Sequence, residues 1–175
     1  MRRITGHGGW AVSVAALCVV VGIGTLTSVT PAHAQFVCDS IIPGGADGAT
    51  AAGAGSVACG TNASANGAGT TAVGNSAGVT SAGTNNTFTG NSAGVNVNGN
   101  SNTANGLNAG VTVIGSQNTA VGDSAGSAVG GNRNTATGVS AGSSVTGSRN
   151  SAFGDNSGDS VLGSNNSAFG ASSGN

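Results

Sequence analysis

Small apolar residues return at fixed steps along most of this chain. Asn102-Thr103-Ala104-Asn105-Gly106 recurs as Asn118-Thr119-Ala120-Val121-Gly122, Asn134-Thr135-Ala136-Thr137-Gly138, Asn150-Ser151-Ala152-Phe153-Gly154 and Asn166-Ser167-Ala168-Phe169-Gly170, a spacing of sixteen. Upstream, Asn86-Thr87-Phe88-Thr89-Gly90 keeps the step, whereas Gly60 to Gly74 is fourteen residues. Each unit has a second half closing on glycine, at Gly83, Gly99, Gly115, Gly131, Gly147 and Gly163, so that glycine intervals alternate nine and seven. A repeat that divides into two similar halves predicts two short strands per coil, joined by tight turns.

The columns predict which way the side chains point. Two residues before the first-half glycine stand Ala58, Ala72, Phe88, Ala104, Ala120, Ala136, Ala152 and Ala168; before the second-half glycine stand Ser81, Val97, Val113, Val129, Val145 and Val161. Stacked coils would set a ladder of alanines against a ladder of valines, a thin interior with a rise of about 4.8 Å per coil. The fold class is therefore all-β, a flattened β-solenoid of 14- to 16-residue coils. The next column, Cys59, Val73, Thr89, Asn105, Val121, Thr137, Phe153 and Phe169, faces away from that interior. Its apolar members make a stripe that calls for a partner. One valine and one alanine per coil also bury too little to offset the ordering of sixteen residues, which again favours association. Asn86, Asn102, Asn118, Asn134, Asn150 and Asn166 open the first strand of successive coils, and their amides can bond to the copy one coil away.

The N-terminal stretch has a different character. Arg2 and Arg3 precede an apolar run from Trp10 to Leu26 and then Ala32-His33-Ala34, the three parts of a secretory signal peptide with cleavage expected after Ala34. The chain then divides into a signal peptide, 1–34, a Gly-rich leader, 35–55, and head repeats, 56–175. Export follows, to the cell surface in association with the outer membrane or into the medium.

Composition narrows the function. Only 5% of the residues are charged and 3% aromatic, while 34 of 175 are glycine. Net charge is −1, so the basic footprint of a nucleic-acid binder is missing. After Ala34 only Arg133 and Arg149 remain against Asp39, Asp47, Asp123, Asp155 and Asp159, a formal charge of −3, and no His, Lys, Glu or Tyr is left. The usual general acids and bases are thus missing, no catalytic residue is assigned, and the chain is not expected to be an enzyme. A lysine-dependent phosphate loop is excluded, so no cofactor is expected. Asp123 and Asp155 share a column with Val139 between them, short of the one aspartate per unit that a calcium repeat needs, and no metal is assigned.

Three sets of residues stand out as candidate sites. Cys38 and Cys59, in an exported chain, are expected to form a disulfide tying the leader to the first coil, with free thiols or inter-chain bridges as alternatives. Arg133 and Arg149, sixteen apart, fall on the same turn of adjacent coils and could meet sulfated glycan or carboxylate. Val73, Val121, Phe153 and Phe169 form the outward apolar ladder. Thr71, Thr87, Thr103, Thr119 and Thr135 form a further column, with T-x-T pairs at Thr87/Thr89 and Thr135/Thr137 of the kind that ice-binding solenoids present.

Ser56-Val57-Ala58-Cys59-Gly60-Thr61-Asn62-Ala63-Ser64-Ala65-Asn66-Gly67 resembles the head repeat of YadA-like trimeric autotransporter adhesins, and units such as Asn118 to Gly126 are similar to longer variants of it. The resemblance runs over about residues 56–175. It implies a left-handed parallel β-roll, three chains packed around an axis through the ladder with Val73, Val121, Phe153 and Phe169, display on a Gram-negative surface, and adhesion to extracellular matrix or other cell surfaces. The heptads of a stalk and the amphipathic strands of a barrel anchor are missing from residues 35–175, so no membrane anchor is expected within them. The expectation is an exported, non-catalytic adhesin head; the alternatives are a passive spacer or matrix component and an ice-binding solenoid.

Overall fold

The computed structural model describes residues 36–38 and 48–174. The expected signal peptide and its cleavage site lie outside the described residues, as do Asp39 and Asp47. Every regular element described is a short strand: β1 Phe36–Cys38, β2 Thr50–Ala51, β3 Val57–Cys59, β4 Ser64–Ala65, β5 Thr71–Val73, β6 Thr87–Thr89, β7 Thr103–Asn105, β8 Thr119–Val121, β9 Thr135–Thr137, β10 Ser151–Phe153 and β11 Ser167–Phe169. Nine of them form one parallel sheet in the order β1-β3-β5-β6-β7-β8-β9-β10-β11, and β2 pairs with β4. The register is the repeat itself, Ala104 beside Ala120 and Ala120 beside Ala136. The chain is a parallel β-solenoid.

Two details depart from a coil of two equal strands. From β6 onward the second half of each coil keeps only a single bridge, along Ala82, Asn98, Ile114, Gly130, Thr146 and Leu162. The stack also starts before residue 56, because β1 and β2 come from the leader and pair with β3 and β4.

The corners explain the glycine spacing. At Gly106 the backbone has φ +138° and a Cβ would run into the carbonyl of Gly122 one coil on, so the corner needs glycine both for its conformation and for the closeness of the stack. Backbone groups away from the strands bond from coil to coil as well. Ser124 N–H donates to Leu107 O at 2.8 Å, Gly126 N–H to Ala141 O at 2.8 Å and Gly131 N–H to Ile114 O at 2.8 Å. Such bonds, each worth about 0.5–1.5 kcal/mol net, make up for the small apolar burial.

Three interior ladders are buried where two were expected. The alanine column of β3 to β11 and the valine column from Val97 to Val145 face inward as the alternation requires. A third, Ala63, Ala77, Ala93, Ala109, Ala125, Ala141 and Ser157, lies just past the first corner and is fully buried. The asparagine column from Asn86 to Asn150 is buried too. Its members do not take the turn conformation. The positive φ belongs to the residue before each of them, at Asn85, Ser101, Gln117, Arg133, Arg149 and Asn165.

The step from fourteen to sixteen residues has a definite place. Ser64 N–H bonds to Ala77 O, which sets Ser64 opposite Gly78, while Ala65 and Ser81 are both buried in the next interior position. The two added residues are therefore Val79 and Thr80, in a turn closed by Ser81 N–H to Gly78 O at 3.1 Å. The same turn recurs in every later coil, with positive φ at Thr80, Asn96, Thr112, Ala128, Ser144 and Ser160. It pushes the second half of the coil outward and widens the solenoid.

Candidate functional site

In a three-residue strand the middle side chain points in and both flanking ones point out. The outer face of the nine-stranded sheet therefore carries two parallel ladders. One is Val57, then threonines from Thr71 to Thr135, then Ser151 and Ser167; the other runs from Cys59 to Phe169. Both flank the buried alanines.

The expected apolar ladder is outward-facing along its length. Val73, Val121 and Phe153 are each 37% exposed and Phe169 is 67% exposed. Phe153 and Phe169 sit in register on β10 and β11, with parallel rings stacked at a centroid distance of 5.3 Å. Thr137 separates Phe153 from Val121, and Thr89 and Asn105 separate Val121 from Val73. So the structure brings the two phenylalanines together, sets Val121 between Asn105 and Thr137, and sets Val73 between Thr89 and the disulfide-bonded Cys59.

Cys38 and Cys59 face each other across β1 and β3, with Cα atoms 4.6 Å apart and their sulfurs bonded. This bond fixes the first strand of the sheet to the repeats. Arg133 and Arg149 both stand exposed on the left-handed turn that precedes the asparagine ladder, each with φ +60°. Arg133 Nε donates to Gln117 Oε1 at 3.0 Å, the residue one coil earlier on the same turn. The arginines border the threonine side of the sheet, away from the phenylalanine side. Asp123 and Asp155 are exposed on the corner after the first strand. Among the described residues no three His, Cys, Asp or Glu come together, and none of their buried side-chain nitrogens and oxygens lacks a partner.

One feature had no sequence forecast. A cavity of about 350 Å³ runs through the wide coils from Phe88 to Gly174, lined by the alanine, glycine, valine and asparagine ladders. It starts one coil after the first of the two-residue insertions, Val79–Thr80. Phe88 is the only large side chain in the alanine column, and its ring lies over Gly94 and against Gly78, closing the bore on the narrow side. Where later coils have alanine, the space of that ring is left open.

Asn118, beside the bore, is fully engaged within the stack. Asn118 Nδ2 donates to Gly131 O at 2.9 Å and to Asn102 Oδ1 at 3.2 Å, and Asn118 Oδ1 accepts from the Asn134 N–H at 2.9 Å and from Asn134 Nδ2 at 3.2 Å. Both amide hydrogens and both acceptor positions of Asn118 are thus used within the stack. Column identity was legible in the sequence; the bore was not, because it arises from a two-residue turn outside any strand.

No protein-family model, curated protein or solved structure matches this chain.

Proposed function

We propose that this chain is an exported surface protein of the adhesin-head kind, which holds extracellular matrix or another cell surface by repeated, non-catalytic contact. Three copies pack through the outer face of the large sheet. The observation that carries this reading is the stacked pair Phe153 and Phe169, two large apolar rings held outward on adjacent strands. A monomer gains nothing from ordering these rings in water, whereas a facing copy removes them from it. Arg133 and Arg149 on neighbouring coils supply a pair of guanidinium groups for sulfated or carboxylated glycans on the partner surface.

The signal-like N-terminus supports export, and the regular stacking of copies supports contact by repetition instead of by a single pocket. The test is light scattering on the purified chain, then adhesion of the chain to immobilised matrix proteins and to glycosaminoglycan. A trimer that adheres, with adhesion weakened by Arg133→Ser/Arg149→Ser, agrees with the reading. A monomer that adheres to nothing leaves a passive spacer.

The outward threonines favour a second reading, as an ice-binding face. Thr87 with Thr89 and Thr135 with Thr137 point to the same side of the sheet. Thermal hysteresis of the purified chain decides it, and no effect at high concentration removes it.

A further inference from the structure

Beside the exposed turn column that holds Gln117, Arg133 and Arg149 runs a second polar column, and its hydrogen bonds all point one way. We infer that the edge made by these two columns binds a linear acidic polysaccharide, laid along the solenoid axis with an anionic group held between Arg133 and Arg149. The inference deepens the adhesive reading and rests on it in one respect, that the chain meets a macromolecular surface.

Thr84, Asn100, Ser116, Asn132, Ser148 and Ser164 follow the second corner glycine of successive coils. From Asn100 onward each side-chain oxygen accepts the backbone N–H of the same column one coil earlier. Asn132 Oδ1 accepts from Ser116 at 2.7 Å, Ser148 Oγ from Asn132 at 3.0 Å and Ser164 Oγ from Ser148 at 2.9 Å. Oxygens so placed are turned into the stack. The hydrogens are left over: the Asn132 amide and the Ser148 and Ser164 hydroxyls donate to no acceptor among the described residues.

The neighbouring column adds charge to this donor edge. Arg133 uses Nε on Gln117 Oε1, on the side opposite Arg149, and its terminal nitrogens take no acceptor among the described residues. Arg149 makes no hydrogen bond or ion pair among them. The two guanidinium groups are exposed and stand one coil apart, about 4.8 Å, so they repel each other. An anion between them replaces that repulsion by two attractions, and its oxygens only accept, as an edge of donors requires. The described aspartates lie elsewhere, Asp123 and Asp155 on the corner after the first strand and Asp159 on the two-residue turn.

The sparseness of the charge selects the ligand class. A nucleic-acid strand brings a phosphate about every 3.4 Å and bases that stack on aromatic rings, whereas these columns hold two cations among neutral donors and no aromatic residue. A polysaccharide with intermittent sulfate or carboxylate groups, and hydroxyls between them, matches two arginines flanked by Gln117, Asn132 and Ser148. Its straight run matches an edge that repeats in every coil, and complete coils lie on both sides of the arginine pair.

The test measures binding of the purified full chain to dextran sulfate, hyaluronate, unmodified dextran and a single-stranded thymidine oligonucleotide. Dextran sulfate and hyaluronate separate sulfate from carboxylate as the anionic group. The expected result is binding of at least one of them, weakened by added salt, with unmodified dextran and the oligonucleotide about tenfold weaker or more. Asn132→Asp keeps the oxygen that takes the Ser116 N–H and puts a second carboxylate oxygen where the outward amide stood, so binding should fall about tenfold or more. Asn91→Asp is the control of equal charge. It copies Asp123, two coils on in the same column, where a serine hydroxyl bonds the acid as Ser92 bonds Asn91. Its charge lies across the sheet from the arginines, and it should leave binding within about twofold. Should Asn132→Asp not fold, Arg149→Gln, an exposed change to the residue found at Gln117, takes its place with the same expected loss.

Unmodified dextran bound as well as dextran sulfate, the oligonucleotide bound as well as the acidic polysaccharides, equal binding by Asn132→Asp and Asn91→Asp, or no polysaccharide bound would each overturn the inference. A chain that adheres to matrix proteins but to no acidic polysaccharide overturns it and leaves the adhesive reading in place. A chain that binds acidic polysaccharide as a monomer keeps it and removes the packing of three copies.

Discussion

The ring of Phe88 lies directly on the backbone of Gly94, so closely that a Cβ on Gly94 would occupy the place of the ring carbons. Phe88 is fully buried, and it stands where the fourteen-residue coils give way to sixteen-residue ones. Aromatic and glycine are thus a matched pair at the one point where the interior changes width.

Gly94→Ala is therefore expected to destabilise the solenoid strongly. It adds a Cβ at φ +66° and displaces the Phe88 ring, which together cost about 2–4 kcal/mol. Gly170→Ala is the control: its φ is +105°, yet nothing lies within 4 Å, and the loss should be about 1 kcal/mol. Urea unfolding of both variants checks the order. A Gly94 variant no weaker than the Gly170 variant would show that Phe88 is not seated as described.

Asn118→Ala should cost about 2–4 kcal/mol. It leaves the Asn134 N–H and the Gly131 carbonyl without their partners inside the stack, and the penalty for such buried groups exceeds the worth of the bonds themselves. Hydrogen exchange at Asn134 reads the effect directly. Protection of that amide unchanged in the variant would contradict the ladder.

Phe153→Ser with Phe169→Ser should leave the fold nearly as stable as before, within about 1 kcal/mol, because both rings point outward. The same double change should lower the mass measured by light scattering from that of a trimer to that of a single chain. Loss of stability without any change in mass would make these rings packing residues of the monomer instead.

Cys38→Ser should act only at one end of the stack. The bond closes a loop of sequence separation 21 and stabilises the docking of β1 by about 3 kcal/mol on the chain-entropy estimate. In a solenoid each coil touches only its neighbours, so the loss should stay local. Amide protection should fall at Phe36–Cys38 and persist from β5 onward. Global unfolding on this substitution would mean that the first strand nucleates the rest.

The sequence determined whatever depends on position within the repeat. The alanine column faced inward and the column of Val73, Val121, Phe153 and Phe169 outward because strand alternation has a period of two, and one repeat aligned with the next sets the register of the eight repeat strands, while the pairing of β1 from the leader was decided by the fold. The corner glycines were legible for the same reason: at corners such as Gly106, Gly122 and Gly138 the φ of +132° to +138° and the carbonyl of the next coil leave no place for a Cβ. Tertiary structure alone decided what lies between the halves of a coil. The inward turn of Ala77, Ala93 and Ala109 follows no strand alternation, since these residues sit past a corner where direction depends on how the chain bends. The outward displacement by Val79-Thr80 and its copies, and the bore it opens behind Phe88, likewise come from the separation of two backbone segments, a distance that no column of letters records.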